Sequence, residues 1–160
     1  MAPDVLSLWN KSKDLPFGKK LFSAGLCFKA PYFGSISPEF DELRPGRAVV
    51  RFANSRKVHN HLGTVHAIAC CNAAELAAGT MTEVSIPRSH RWIPVGMTVR
   101  YLRKATTDLR AVVEAALPPE ADTGDSFEWT IPVSILDTSG NEVVHADITM
   151  HVSAKPPRTW

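Results

Sequence analysis

The sequence predicts an α+β fold in which a curved antiparallel β-sheet wraps around one long central α-helix, preceded by an N-terminal helical segment. Three observations predict it. The run from Thr64 to Ala78 is rich in alanine and carries small or apolar side chains on nearly all its faces, so a helix there has no wet side and must be enclosed. Strand candidates follow at residues 92–105, 109–117, 127–137 and 142–154. They are joined by turn-like sequences such as Thr106-Thr107-Asp108 and Thr138-Ser139-Gly140-Asn141. Such short connections favour antiparallel pairing, because parallel strands need long crossovers.

Each element has its own signal. Between Asp4 and Leu26 the apolar residues Val5, Leu8, Trp9, Leu21 and Phe22 recur at spacings suited to short amphipathic helices, interrupted by Pro16 and Gly18, so residues 1–30 read as a helical prelude. Residues 31–40 suggest an extended segment, Glu42 to Gly46 carries turn chemistry, and residues 47–53 hold the β-branched pair Val49-Val50. The central helix is expected to begin near Thr64 to His66 and to stop at Gly79. No internal repeat is visible; Pro118-Pro119 falls in a connection and Pro156-Pro157 in a tail of residues 155–160. Residues 1–160 are therefore expected to form one domain.

Composition narrows the function. A chain of 160 residues with 44% hydrophobic and 21% charged side chains has the make-up of one soluble globular unit. A formal net charge of only +2 leaves no basic footprint for nucleic acid, and no apolar run approaches the roughly 18 residues of a membrane span. The N-terminus lacks a basic region followed by an apolar stretch, and Cys27, Cys70 and Cys71 show neither pairing nor metal-ligand spacing. A cytoplasmic protein in a reducing compartment, without partners among nucleic acids or membranes, is the expectation.

The densest chemistry surrounds the start of the long helix. Asn60 precedes His66 by six positions, His66 is followed by Ala67, and Glu75 lies nine positions after His66. With the order of helix, two strands, long helix and four strands, this resembles the hotdog-fold thioesterase superfamily, specifically the phenylacetate-type enzymes with their Asn…His-Gly-Gly…Asp pattern and the thioesterase-like DUF4442 family. The run Gly96 to Ala105 is similar to the family's long strand, with Lys104 where proline is usual, and the likeness extends from about Pro31 to His151. The chain departs in having His-Ala-Ile for His-Gly-Gly and Glu for Asp. Ala67 still offers a backbone N–H, and Glu75 keeps a carboxylate on a longer arm.

The resemblance implies hydrolysis of an acyl thioester, with coenzyme A or a carrier's pantetheine as part of the substrate and no other cofactor. A thioester oxygen would sit against the Ala67 N–H, among the N–H groups left unpaired at the helix start, with Gly63 shaping the loop and Arg100 a candidate for coenzyme A phosphates. Glu75 would be nucleophile or general base, Asn60 would hold the water or thioester, and His66 would orient the loop or donate a hydrogen bond. Glu75 is eight residues beyond Ala67, roughly 12 Å along a helix. In resembling proteins the central helices of a dimer lie antiparallel, bringing the acid of one subunit to the helix start of the other, which implies a homodimer or tetramer.

Other readings of these residues stand beside this one. Glu75 is also explained as an exposed or ion-paired helix residue, Asn60 and Gly63 as a turn and cap, and His66 as a satisfied core histidine. His59, His61 and His66 complete no specific metal-ligand set, so no metal is expected. Cys70, four residues after His66, reads as small packing rather than a nucleophile. The whole chain is also compatible with a noncatalytic acyl-ligand binding or regulatory module, and hotdog dehydratases are a third possibility.

Overall fold

A computed structural model describes residues 4–118 and 126–156. Helices α1 (Val5–Ser12) and α2 (Gly18–Lys29) open the chain, followed by a 3-10 turn (Pro31–Ile36) and strands β1 (Glu39–Arg44) and β2 (Arg47–Phe52). A short 3-10 turn (Arg56–Val58) leads into the long helix α3 (Ala67–Ser85), and strands β3 (His90–Tyr101), β4 (Leu109–Glu114), β5 (Phe127–Leu136) and β6 (Glu142–Ala154) complete the order. The strands form one antiparallel sheet in the spatial order β1-β2-β4-β5-β6-β3.

The sheet can close on α3 because the helix is narrow. Ala73, Ala74, Ala77 and Ala78 are fully buried along it, and such small side chains let the strands approach closely. The strands answer with period-2 alternation. Trp129, Ile131, Val133 and Ile135 of β5 point inward beside Ala146, Ile148, Met150 and Val152 of β6, while intervening Thr130 and Thr149 pair outside. Ile131 and Ile148 face each other across the two strands, both fully buried, and truncating either to alanine costs about 2–5 kcal/mol.

The N-terminal helices are bolted to the β1 edge. Trp9, Phe22 and Phe40 form an edge-to-face cluster with ring centroids 5.1, 5.5 and 6.4 Å apart. Ser23 Oγ accepts the Phe40 N–H at 3.0 Å, and Lys19 Nζ donates to the Asp41 carbonyl at 2.9 Å. The turn between α1 and α2 needs glycine at position 18, where a Cβ would lie 1.7 Å from the Ser12 carbonyl oxygen.

Several boundaries differ from the sequence reading. Residues 31–36 are a 3-10 turn rather than extended: Pro31 occupies its first turn, and Asn72 of α3 donates to the Tyr32 carbonyl at 3.3 Å and to Ser35 Oγ at 2.8 Å, holding the turn against the helix. Glu42 to Arg44 belong to β1, not to a turn, which shrinks to Pro45-Gly46; Arg47 pairs with both Glu42 and Glu114 on the outer face of these strands. Gly79 does not end α3, which continues to Ser85. Strand β3 starts and stops earlier than 92–105, and β4 ends at Glu114. Pro119, Pro157 and the tail from 157 onward lie outside the described residues. Among the described residues no helix is long and apolar enough to cross a membrane.

Candidate active site

The start of α3 is built by the loop before it. Asn60 Oδ1 accepts the backbone N–H groups of Leu62 and Thr64 at 2.9 and 3.2 Å, and its Nδ2 donates to Thr64 Oγ1 at 2.9 Å. Gly63 takes a positive φ of 75° between them, its N–H donating to the Asn60 carbonyl. The Asn60 amide is thereby an organiser of the loop. The His66 N–H donates to the Val58 carbonyl and the Val65 N–H to the Ala105 carbonyl, fastening the loop to the chain on either side of the helix.

His66 is the N-cap. Its Nδ1 accepts the Ile68 N–H at 3.0 Å, the role usually filled by Ser, Thr, Asp or Asn. With Nδ1 an acceptor, the neutral ring carries its proton on Nε2. The Ala67 N–H, at the first helical position, has no acceptor among the described residues. It borders a cavity of about 410 Å³ whose wall also includes Asn60, Thr64, Tyr101, Arg103 and Lys104. The Tyr101 hydroxyl is 3.5 Å from Cys71 Sγ, and this contact first, then burial, pushes the phenol up to about 12. It stays protonated at neutral pH.

Glu75 stands elsewhere. It is half-buried in the wall of a second cavity, of about 240 Å³, with Leu26, Phe33, Gly79 and Trp92. Among the described residues no hydrogen bond or ion pair engages its carboxylate. The chain thus gathers Asn60 and Ala67 around one cavity and leaves Glu75 at another. Gly63 remains in the loop and His66 caps the helix beneath. Arg100, opposite His145 in the β3–β6 pair, lies near Glu142 and outside both cavity walls; Arg103 and Lys104 are the cations that line the cavity at the helix start.

Cys70 is buried, and desolvation pushes its thiol up to about 12, the opposite of an activated nucleophile. His59 Nε2 lies 2.7 Å from Asn54 Oδ1, and among the described residues no three His, Cys, Asp or Glu side chains are grouped to hold a metal ion. Sequence reasoning did not single out Trp92, Glu83 or Tyr101. Trp92 and Tyr101 reach the helix, and Trp92 meets Glu83 on it, only because β3 arrives beside α3, and no local pattern announces that crossing.

The family model for a domain of unknown function, DUF4442, matches residues 18–152. The chain belongs to the DUF4442 family. A crystal structure of the genomics protein APC5556 is 47% identical to this DUF4442 chain, covering 94% of it and 98% of the other chain with a TM-score of 0.80. A Pseudomonas aeruginosa protein of unknown function, PA5026, called a probable thioesterase, is 22% identical over 88% of this chain and 97% of its own, with a TM-score of 0.75. A mutant of the thioesterase enzyme SAV0944 from Staphylococcus aureus superposes with a TM-score of 0.67 at 14% identity, over 77% and 98% of the two chains. The DUF4442 chain has the hotdog fold these neighbours share. A search of curated proteins finds no match.

Proposed function

We propose that this DUF4442 protein hydrolyses an acyl thioester of coenzyme A or of a carrier's pantetheine, at sites shared between two copies of the chain. One observation carries the reading: among the described residues Glu75 is a half-buried carboxylate without a hydrogen-bond or ion-pair partner, in a mostly apolar wall, on the helix whose first N–H also has no acceptor among them. A carboxylate set among apolar side chains without a partner is disfavoured relative to one in water, which makes Glu75 the candidate to act on a substrate.

The thioester carbonyl accepts a hydrogen bond from the Ala67 N–H of one copy, where the helix dipole favours the negative charge that develops on oxygen. Glu75 of the second copy takes a proton from water as it attacks, or attacks the carbonyl carbon itself to give an anhydride that water then opens. In either case the thiolate leaves and is protonated. The eight-residue separation, roughly 12 Å along the helix, keeps the two groups of one chain from meeting on one carbonyl. Strand β3 supports the pairing of copies: it ends the sheet, spans twelve residues and exposes Ile93 and Val95.

The test is thiol release from short, medium, long and aromatic acyl-coenzyme A substrates by the wild-type protein and by Glu75→Ala and Glu75→Gln, with oligomeric state checked by light scattering. Turnover that collapses in both folded variants supports the reading. Tight acyl-ligand binding by a wild type that turns over none of the panel replaces it with the noncatalytic binding module, and unchanged turnover in the variants removes Glu75 from the chemistry.

A further inference from the structure

The cavity beside Glu75 is not used by the chemistry above, which needs only the carboxylate. It lies between α1 and α2 on one side and α3 on the other, open to solvent on part of its surface, and its wall is mostly apolar, with Leu26, Phe33, Leu76 and Trp92, and also carries Lys29 and Glu83. Trp92 belongs to β3 and reaches across to α3, where its ring lies directly on the helix backbone. A Cβ on Gly79 would be 2.5 Å from Trp92 Cη2, closer than real Cβ atoms come, and 3.1 Å from Cζ3. The indole Nε1–H donates to Glu83 Oε2 at 2.8 Å, one helical turn past Gly79, so the ring is held at both its face and its edge. A glycine within an alanine-rich helix weakens the helix, and here the notch it leaves is filled by this ring.

We infer that this cavity is the acyl-tail site and that Trp92, seated on Gly79 and tied to Glu83, is the wall that limits tail length. The inference rests on the thioester reading for its direction: a carbonyl placed at Glu75 points its tail along α3 toward Gly79. From Glu75 to Gly79 is four residues, about 6 Å of helix, which an extended alkyl chain advancing about 1.3 Å per carbon covers in roughly five carbons. A cavity of about 240 Å³ has room for a tail of that length. The site takes short to medium aliphatic acyl groups and rejects long ones, because a longer chain must displace an indole that is packed and hydrogen-bonded.

The experiment separates this site from the hydrolysis. Full-length wild type, Trp92→Ala and Leu26→Trp are titrated calorimetrically with non-hydrolysable S-alkyl coenzyme A thioethers bearing ethyl, butyl, hexyl, octyl and dodecyl chains, and the fold of each protein is checked by circular dichroism. Wild-type affinity is expected to climb about fourfold per methylene and to stop between hexyl and octyl. In Trp92→Ala the climb continues through dodecyl, and in Leu26→Trp, where the added ring occupies the cavity from the opposite wall, it stops at butyl or earlier. Length profiles that coincide in all three proteins overturn the inference, as does a wild type that binds no thioether. Length-dependent binding without thiol release from the corresponding thioesters leaves the tail site standing and removes the hydrolase; release with coincident length profiles does the reverse.

Discussion

Replacing Ala67 with proline deletes one hydrogen atom from the proposed oxyanion site while leaving the helix intact. Proline is favoured at the first helical position, where its missing N–H has no intrahelical partner and its fixed φ suits the helix. The residue before a proline must be extended, and His66 already is, with φ −65° and ψ 138°. The His66 cap also survives, since it binds the Ile68 N–H. Stability should therefore change by no more than about 1 kcal/mol. Losing an oxyanion donor costs about 10²–10³ in kcat, or about 2.7–4 kcal/mol, so thiol release should fall by that factor with the melting temperature nearly unmoved. Mixing Ala67→Pro with Glu75→Ala adds a geometric check. In a shared-site dimer each heterodimer regains one intact site, so random exchange restores about a quarter of wild-type turnover from two nearly inactive parents. A folded Ala67→Pro protein with kcat within about threefold of wild type refutes the oxyanion assignment, and mixtures that never recover refute the sharing of sites.

Four further outcomes are expected. His66→Ala should cost about 1 kcal/mol in denaturant unfolding, whereas His66→Asn keeps the cap and spares turnover the ~10²–10⁴-fold loss of a proton-transfer residue. Gly79→Ala should destabilise by about 1–3 kcal/mol despite alanine's better helix propensity, and adding Trp92→Ala should relieve most of that, a coupling read by a double-mutant cycle of melting temperatures. Glu142 is held below the ordinary carboxylate range by the Ser134 hydroxyl first and by His145 after burial's opposing effect. Its contribution to stability is therefore full above the ordinary carboxylate range, near ~4.3, and is lost as pH falls through its lower native value. Glu142→Gln should flatten the urea midpoint between neutral pH and pH ~3 relative to wild type. Iodoacetamide should label half-buried Cys71 in the folded protein and reach Cys70 only after denaturation, as peptide mass spectrometry would read.

What the sequence made legible follows from the range of the forces involved. The 142–154 strand declares itself because alternate residues must face the same core, and the helix start declares itself through the loop signals of Asn60 and Gly63. Residues 31–36 look extended because the side chain that turns them, Asn72, is some forty positions away. Gly79 reads as a stop for a related reason. A helix-ending glycine and a glycine notch that receives an aromatic ring are the same letter, and only the crossing of β3 over α3 distinguishes them. The candidate site divides along the same line: Asn60, His66 and Ala67 are neighbours in sequence and act locally, whereas the surroundings of Glu75 come from α2 and β3. Arg100 and Arg103 show how a shift of a few residues past a strand end decides whether a cation joins the cavity wall at all.

The two borders of the sheet are not equivalent. Along β1 two backbone groups are already taken, the Phe40 N–H by the Ser23 hydroxyl and the Asp41 carbonyl by the Lys19 ammonium, under a cover of aromatic rings. Along β3 it is open. A molecule with one sticky border and one plugged border can add a copy of itself once, by a two-fold rotation, and then presents two plugged borders to the solution. Under the proposed pairing of copies along β3, the N-terminal helices would act as a chain terminator, and removing them should yield a protein able to stack into open-ended ribbons.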